Sequence, residues 1–162
     1  MGLALAFTAH FVFCSAQNHE TKDSALLQPV EIIALRASIK TPVSTTTLQA
    51  TDIAKNNTGR DLPFLLNLTP SVVVNADAGN GIGYTGIRIR GTDATRINVT
   101  INNIPYNDAE SQGTFFVDVP DLASSASSIQ IQRGVGTSTN GTGSFGGSIN
   151  ISTNDIQTKR KW

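Results

Sequence analysis

The sequence predicts an α+β domain: a small mixed β-sheet with short helices and long loops. Three observations carry that expectation. Short β-branched runs recur between clusters of Gly, Asn, Asp and Ser. One stretch, residues 51–70, carries a helical signal. Residues 75–84, 105–116 and 134–147 form loops at or near a length that is uncommon in a compact domain unless the loop is functional. With 162 residues the chain holds one such domain and a short leader.

The leader comes first. Leu3-Ala4-Leu5-Ala6-Phe7 through Phe11-Val12-Phe13 is an apolar run of signal-peptide length, and Cys14-Ser15-Ala16 offers the small residues a signal peptidase reads. Residues 1–16 are therefore expected to be a signal peptide, although no Lys or Arg precedes the apolar run. The run is too short for a spanning helix, which takes roughly 20 apolar residues. Cleavage after Ala16 would leave no cysteine, and so no disulfide or thiol chemistry.

Residues 17–44 read as a flexible segment containing a β-branched run over 29–37, with Pro29 at its start where a strand tolerates proline. Over 51–70, Asp61 stands at a capping position, Pro63 falls in the first helical turn, and Leu62, Leu65 and Leu66 share a face. Thr69-Pro70 stops the helix. Beyond it, Val72-Val73-Val74 and residues 86–90, 97–101, 129–132 and 148–152 are strand-like. The sheet is expected to be built from 86–90, 97–101, 129–132 and 148–151, with a helix over 62–67 packed near it. Abundant Ser, Thr, Asn and Gly leave a thin apolar core for the chain length.

Several chemistries are excluded. Twelve basic and twelve acidic residues give no net charge and form no basic stripe, which argues against nucleic acid or an anionic membrane surface as partner. Gly81-Ile82-Gly83-Tyr84-Thr85-Gly86 matches G-x-G-x-x-G, but a strand follows it, so no helix N-terminus is offered to a pyrophosphate. His10 and His19 are the only histidines, one in the leader and one in the flexible segment that follows it, so neither a triad nor a histidine metal site can be assembled. Asp108 and Glu110 lie in a polar loop where solvation explains them. No enzyme activity and no cofactor are expected.

Four segments in order carry a resemblance: Gly86-Ile87-Arg88-Ile89-Arg90-Gly91, Arg96-Ile97-Asn98-Val99-Thr100-Ile101-Asn102-Asn103-Ile104-Pro105, Ser128-Ile129-Gln130-Ile131-Gln132-Arg133-Gly134, and Gly143-Ser144-Phe145-Gly146-Gly147-Ser148-Ile149-Asn150-Ile151. Preceded by Asp61-Leu62-Pro63-Phe64-Leu65-Leu66 and Thr69-Pro70-Ser71-Val72, they resemble the N-terminal plug domain of TonB-dependent outer-membrane receptors. The resemblance runs from about Val30 to Thr153. Asn102-Asn103 stands where the family usually has Asp-Gly or Asn-Gly, and Asn tolerates the positive φ such a turn needs.

The resemblance implies a plug over 45–154, filling a barrel of about 22 strands in the outer membrane. Residues 155–162 would then be the start of a barrel that this chain does not carry. It implies an external ligand such as a ferric siderophore, and TonB as a periplasmic partner that pulls an extended segment. Pro29, Val30, Glu31, Ile32, Ile33 and Ala34 suit TonB by β-augmentation, or else they form the plug's own first strand. Arg90 and Arg133 match the family's latch arginines, which face barrel glutamates, and are expected to share one surface patch without a carboxylate from this chain. Asp77, Asn80, Tyr84, Asp93, Tyr106, Asn107, Asp108, Glu110 and Gln112 belong to loops expected to face the ligand. The alternative is a stand-alone periplasmic binding or signalling module with the same fold.

Overall fold

The computed structural model describes residues 36–38, 40–141 and 143–153. The expected signal peptide, residues 1–16, and the expected partner segment from Pro29 to Ala34 lie outside the described residues. The elements in order are β1 (Ser44–Gln49), α1 (Ala50–Asn56), α2 (Leu62–Leu66), β2 (Val72–Ala76), β3 (Thr85–Ile89), β4 (Ile97–Ile101), β5 (Ile104–Pro105), α3 (Leu122–Ser125), β6 (Ala126–Arg133) and β7 (Gly147–Thr153). Short 3₁₀ turns occupy Ala94–Arg96, Phe116–Asp118 and Ser138–Asn140.

One sheet has the order β1-β6-β7-β4-β5, and β2 pairs with β3 in a separate two-stranded sheet. The larger sheet is mixed, because β4 runs parallel to β7 while its other neighbours pair antiparallel. Register explains its two faces. Ile129 faces Ile151 and Ile131 faces Ile149 across β6 and β7, and Val99 faces Ile149 across β4 and β7. Side chains alternate along a strand, so these isoleucines share one side of the sheet. They pack with Leu62, Leu65 and Leu66 from the α2 segment, Ile87 and Ile89 from β3, and Phe116.

The opposite side is polar and nonetheless buried. Gln130 faces Asn150 and Gln132 faces Ser148, while Thr100 of β4 also faces Asn150. All five are under a tenth exposed. Thr100 Oγ1 donates to Asn150 Oδ1 at 2.7 Å, and Gln132 Nε2 donates to Gln130 Oε1 at 3.3 Å. The apolar core is thus one-sided, in keeping with the thin core expected from composition.

The structure corrects the sequence reading in several places. Residues 86–90 were expected in the main sheet, but β3 pairs only with β2, in the register Val72 to Ile89, and packs its buried face on the core. Arg90 lies outside the strand, at φ 53°, where the chain turns away toward Thr92. Asp61 does stand at the N-cap of α2, yet its carboxylate makes no cap bond. It accepts instead from Gly83 N–H and Thr85 Oγ1, both at 3.0 Å, and so pins the β2–β3 loop to the helix. The helical stretch 51–70 holds two helices, broken at 57–61. Of the run over 29–37, Arg36 and Ala37 are described, and neither is in a strand.

The Asn102-Asn103 turn forms as expected. Ile101 pairs with Ile104 around it, and the two asparagines sit at φ 50° and 67°. Positive φ at both central residues is the I′ geometry that matches strand twist. Asn102 also fastens the turn to β7, donating from Nδ2 to Thr153 Oγ1 and accepting from Thr153 N–H. Asn103→Val is expected to lower stability by about 1–2 kcal/mol, since a branched side chain is forced into the left-handed region. A urea melt checks this, with Asn103→Gly expected to hold or raise the midpoint.

Candidate functional site

Two arginines converge on one turn. Arg90 N–H donates to the Ser71 carbonyl at 2.9 Å, and Arg133 Nη1 donates to the Pro70 carbonyl at 3.3 Å. Gly134, at φ 91°, follows Arg133, and a Cβ there would collide with Nη1 of Arg90. Only glycine therefore lets the Arg90 guanidinium lie against the end of β6. Arg133 Nε is buried and has no hydrogen-bond partner. Asp61 is committed to Gly83 and Thr85, Asp121 accepts from Ser124 Oγ, and among the described residues no ion pair joins either arginine to a carboxylate.

The loops gather at two clefts. One, of about 220 Å³, lies between Thr95 and Ile97, the loop residues Asn107, Asp108, Ala109 and Gln112, and Asn140 with Gly141 and Gly143. The other, of about 190 Å³, brings Asp77 and Tyr84 against Thr114, Phe115 and Phe116. The loop over 106–116 therefore contributes to both. Tyr84 and Phe115 stay largely open to solvent beside the second cleft.

Most of the polar side chains expected to face ligand also have structural work. Asn107 Oδ1 accepts from Val99 N–H, and its Nδ2 donates to the carbonyls of Ile97 and Gln112. It thereby ties the loop to the outer edge of β4, which β5 leaves open at that end. Tyr106 Oη donates to the Phe115 carbonyl at 2.6 Å. Asn80 Oδ1 accepts from Ile82 N–H, and Gln112 Nε2 donates to the Ala109 carbonyl. Asp77 and Glu110 stand exposed, with no side-chain bond among the described residues.

Two aspartates shape their own loops. The Thr95 hydroxyl and N–H beside Asp93 hold its carboxyl below the usual aspartate range, with Arg96 and Arg88 contributing. Ser111, through its N–H and hydroxyl, does the same for Asp108. Burial pushes the Tyr106 phenol up, and the charge of Asp118 adds to it. These are the pKa changes of hydrogen-bonded turns and a packed phenol, and none of them prepares a proton-transfer group. Among the described residues no three or more His, Cys, Asp or Glu side chains are grouped to hold a metal.

The fold and the loops point to one family, and comparison with known proteins decides it. A family profile described as the TonB-dependent Receptor Plug Domain matches residues 37–148. The chain belongs to that family. Among solved structures, the siderophore receptor PirA from Acinetobacter baumannii aligns over 70% of this chain and 17% of its own, with 21% identity and a TM-score of 0.54. A variant of the ferric enterobactin receptor PfeA from Pseudomonas aeruginosa aligns over 71% and 18%, at 25% identity and a TM-score of 0.53. The copper transporter OprC aligns over 75% and 18%, at 16% identity and a TM-score of 0.56. A search of curated proteins finds no match. The plug spans less than a fifth of each of these solved receptors. Among its described residues no helix is long and apolar enough to cross a membrane.

The plug also carries a clasp that sequence reasoning missed. Arg36 donates to Ser128 Oγ at 2.8 Å and to the carbonyls of Ser128 and Asn150. The Gln130 amide accepts from Ala37 N–H at 2.7 Å and donates to the Ala37 carbonyl at 3.1 Å, so a side chain imitates a β-bridge. These bonds join residues more than ninety positions apart, and no local pattern announces them. The only signal in the sequence was a row of amides and hydroxyls on the strand face opposite the isoleucines.

Proposed function

We propose that this chain is the gating and ligand-sensing plug of a TonB-dependent outer-membrane receptor that takes up a small chelated nutrient such as a ferric siderophore. The convergence of Arg90 and Arg133 on the Pro70-Ser71 turn carries the reading. A guanidinium with a buried, unpaired Nε suits a carboxylate supplied from outside the chain, and a surrounding barrel wall would supply one. Arg90 and Arg133 are then the latch. The exposed members of the loops, Asp77, Tyr84 and Glu110 foremost, meet the ligand, while Asn80, Asp93, Tyr106, Asn107 and Gln112 give those loops their shape and Asp108, bonded through Oδ2 alone, does both.

TonB engages Pro29, Val30, Glu31, Ile32, Ile33 and Ala34 on the periplasmic side after export. The clasp supports this, because it fixes Arg36 and Ala37 immediately downstream of that segment and gives a pull a defined point of attachment on β6 and β7. In a full-length receptor rebuilt around this plug, Arg90→Ala with Arg133→Ala is expected to raise leakage of small solutes through the barrel. Breaking buried charge pairs of this kind costs about 3–5 kcal/mol each. Unchanged leakage, with the plug still folded, would remove the latch from the proposal.

A further inference from the structure

The 220 Å³ cleft carries acceptors that no donor of the protein meets. The amide donors of Asn107 and Gln112 turn inward, both Nδ2 hydrogens of Asn107 to the Ile97 and Gln112 carbonyls and Gln112 Nε2 to the Ala109 carbonyl, while the Asn98 amide at the cleft makes no side-chain bond among the described residues. Asn140 Nδ2 donates to Gln132 Oε1 at 3.1 Å. The other prong of that amide, Oδ1, is buried with no donor, in a side chain that is 1% exposed and lines the cleft. A buried acceptor without a donor is rare and calls for a partner.

Charge points the same way. Asp108 lies at the cleft, and its Oδ2 takes the N–H groups of Glu110 and Ser111 and the Ser111 hydroxyl, leaving Oδ1 open. Glu110, exposed in the same loop outside the cleft lining, adds a second carboxylate two residues on. No Lys or Arg lines the cleft, and the neighbouring Arg96 and Arg88 act on Asp93. The volume is below the roughly 300–1,000 Å³ of a site for a whole drug-sized ligand, so it fits one arm of a larger molecule.

We infer that this cleft is a subsite for a positively charged, hydrogen-bond-donating arm of the ligand, an ammonium group carried by a small metal chelate, and that it disfavours polyanionic chelates. The inference rests on the reading that the plug's loops face the ligand, and it adds the charge class of what they meet. Asn140 Oδ1 and the open oxygen of Asp108 accept from the ammonium, and Glu110 strengthens the local field.

The test is an amide-shift titration of the isotope-labelled 162-residue chain with three gallium chelates. One is a linear trihydroxamate with a free primary amine, the second is the same molecule N-acetylated, and the third is a tris-catecholate trianion. The amine chelate is expected to move the amides of Asp108, Ala109 and Gly141 and to bind about fivefold tighter than its acetylated form, the gain of one exposed ion pair. The trianion is expected to leave those amides in place. Asp108→Asn with Glu110→Gln, which keeps side-chain size, should abolish the preference for the amine. Equal binding of amine and acetylated chelates, or a preference that survives the double substitution, overturns the charge assignment. So does a trianion that moves the same amides; in each of these cases the loops still face ligand. If none of the three chelates moves a loop amide, the underlying reading of the loops fails and the inference falls with it.

Discussion

Replacing Gly147 with valine is expected to separate β7 from β6 and to lower the stability of the plug by about 3 kcal/mol or more. Gly147 opens β7 and is paired on both sides, with Arg133 of β6 and Ile97 of β4. A Cβ at this position would stand 2.5 Å from the Gln132 carbonyl oxygen and 3.1 Å from Ile89 Cδ1. The first contact is with backbone of a strand paired on both sides, with Thr45 and Ser148 opposite Gln132, which cannot swing aside. The second is with a fully buried side chain that docks the β2–β3 hairpin on the core. Relief therefore requires β7 to move out of register or the hairpin to lift. Domains of this size are stable by only about 5–15 kcal/mol, so a loss of this size shifts the unfolding midpoint well down. Far-UV circular dichroism through a urea titration reads it. A midpoint within error of the parent would show that the approach at Gly147 is not close enough to matter.

Truncating Ile131 to alanine should have an effect of similar size through the opposite cause, a void in place of a clash. Ile131 is 0% exposed and lies in the strand that joins β1 to β7, opposite Thr46 on one side and Ile149 on the other. Fully buried isoleucine-to-alanine changes cost about 2–5 kcal/mol, with the value set by how far the site can collapse. Here a paired strand on each side limits collapse, so the upper part of the range is expected, with a fall in melting temperature of about 10 °C or more. Ile104, 69% exposed, is the internal comparison, and its alanine variant should change stability by less than about 0.5 kcal/mol. Equal melting temperatures for the two variants would mean that the isoleucine layer is not the source of stability.

The parts of the fold that were legible are those in which local pattern and final environment agree. The isoleucines of β4, β6 and β7 alternate with polar residues and end together on one side of the sheet, with the polar residues on the other, as period two requires. Leu62, Leu65 and Leu66 end together in the core for the same reason at helical spacing. β1 was missed because Ser44-Thr45-Thr46-Thr47-Leu48-Gln49 is an edge strand whose side chains are half-buried or exposed, so no apolar alternation marks it. α3 was missed because four residues are too few to show a helical period.

The sheet assignment of β3 depended on where its apolar face docks, which its own alternation does not specify. For the loops, composition gave the location but not the roles. Asp93 with Thr95, and Asp108 with Ser111, are short-range side-chain-to-backbone turns, and their spacing was a usable signal. Asn107 gave none, since its three bonds depend on β4 lying beside it. The meeting of Arg90 and Arg133 followed from the family resemblance. Their shared attachment to Pro70 and Ser71 became visible only in three dimensions.

The strand order has a kinetic consequence. β6, the partner of β1, is among the last elements of the described residues, and Ala37 waits on a residue 93 positions later for its clasp. The parallel partner of β4 is β7, the last strand among the described residues. Hardly any of the larger sheet can assemble until residues 126–153 are present, since only the small β4–β5 hairpin is local. Folding of such a high-contact-order chain is slow, because long loops must close before the pairings that reward them can form. During synthesis the early segments emerge with their backbone groups unpaired and stay so until β6 and β7 have followed, the condition in which a chain is most open to binding by holding factors and to threading through a narrow conduit.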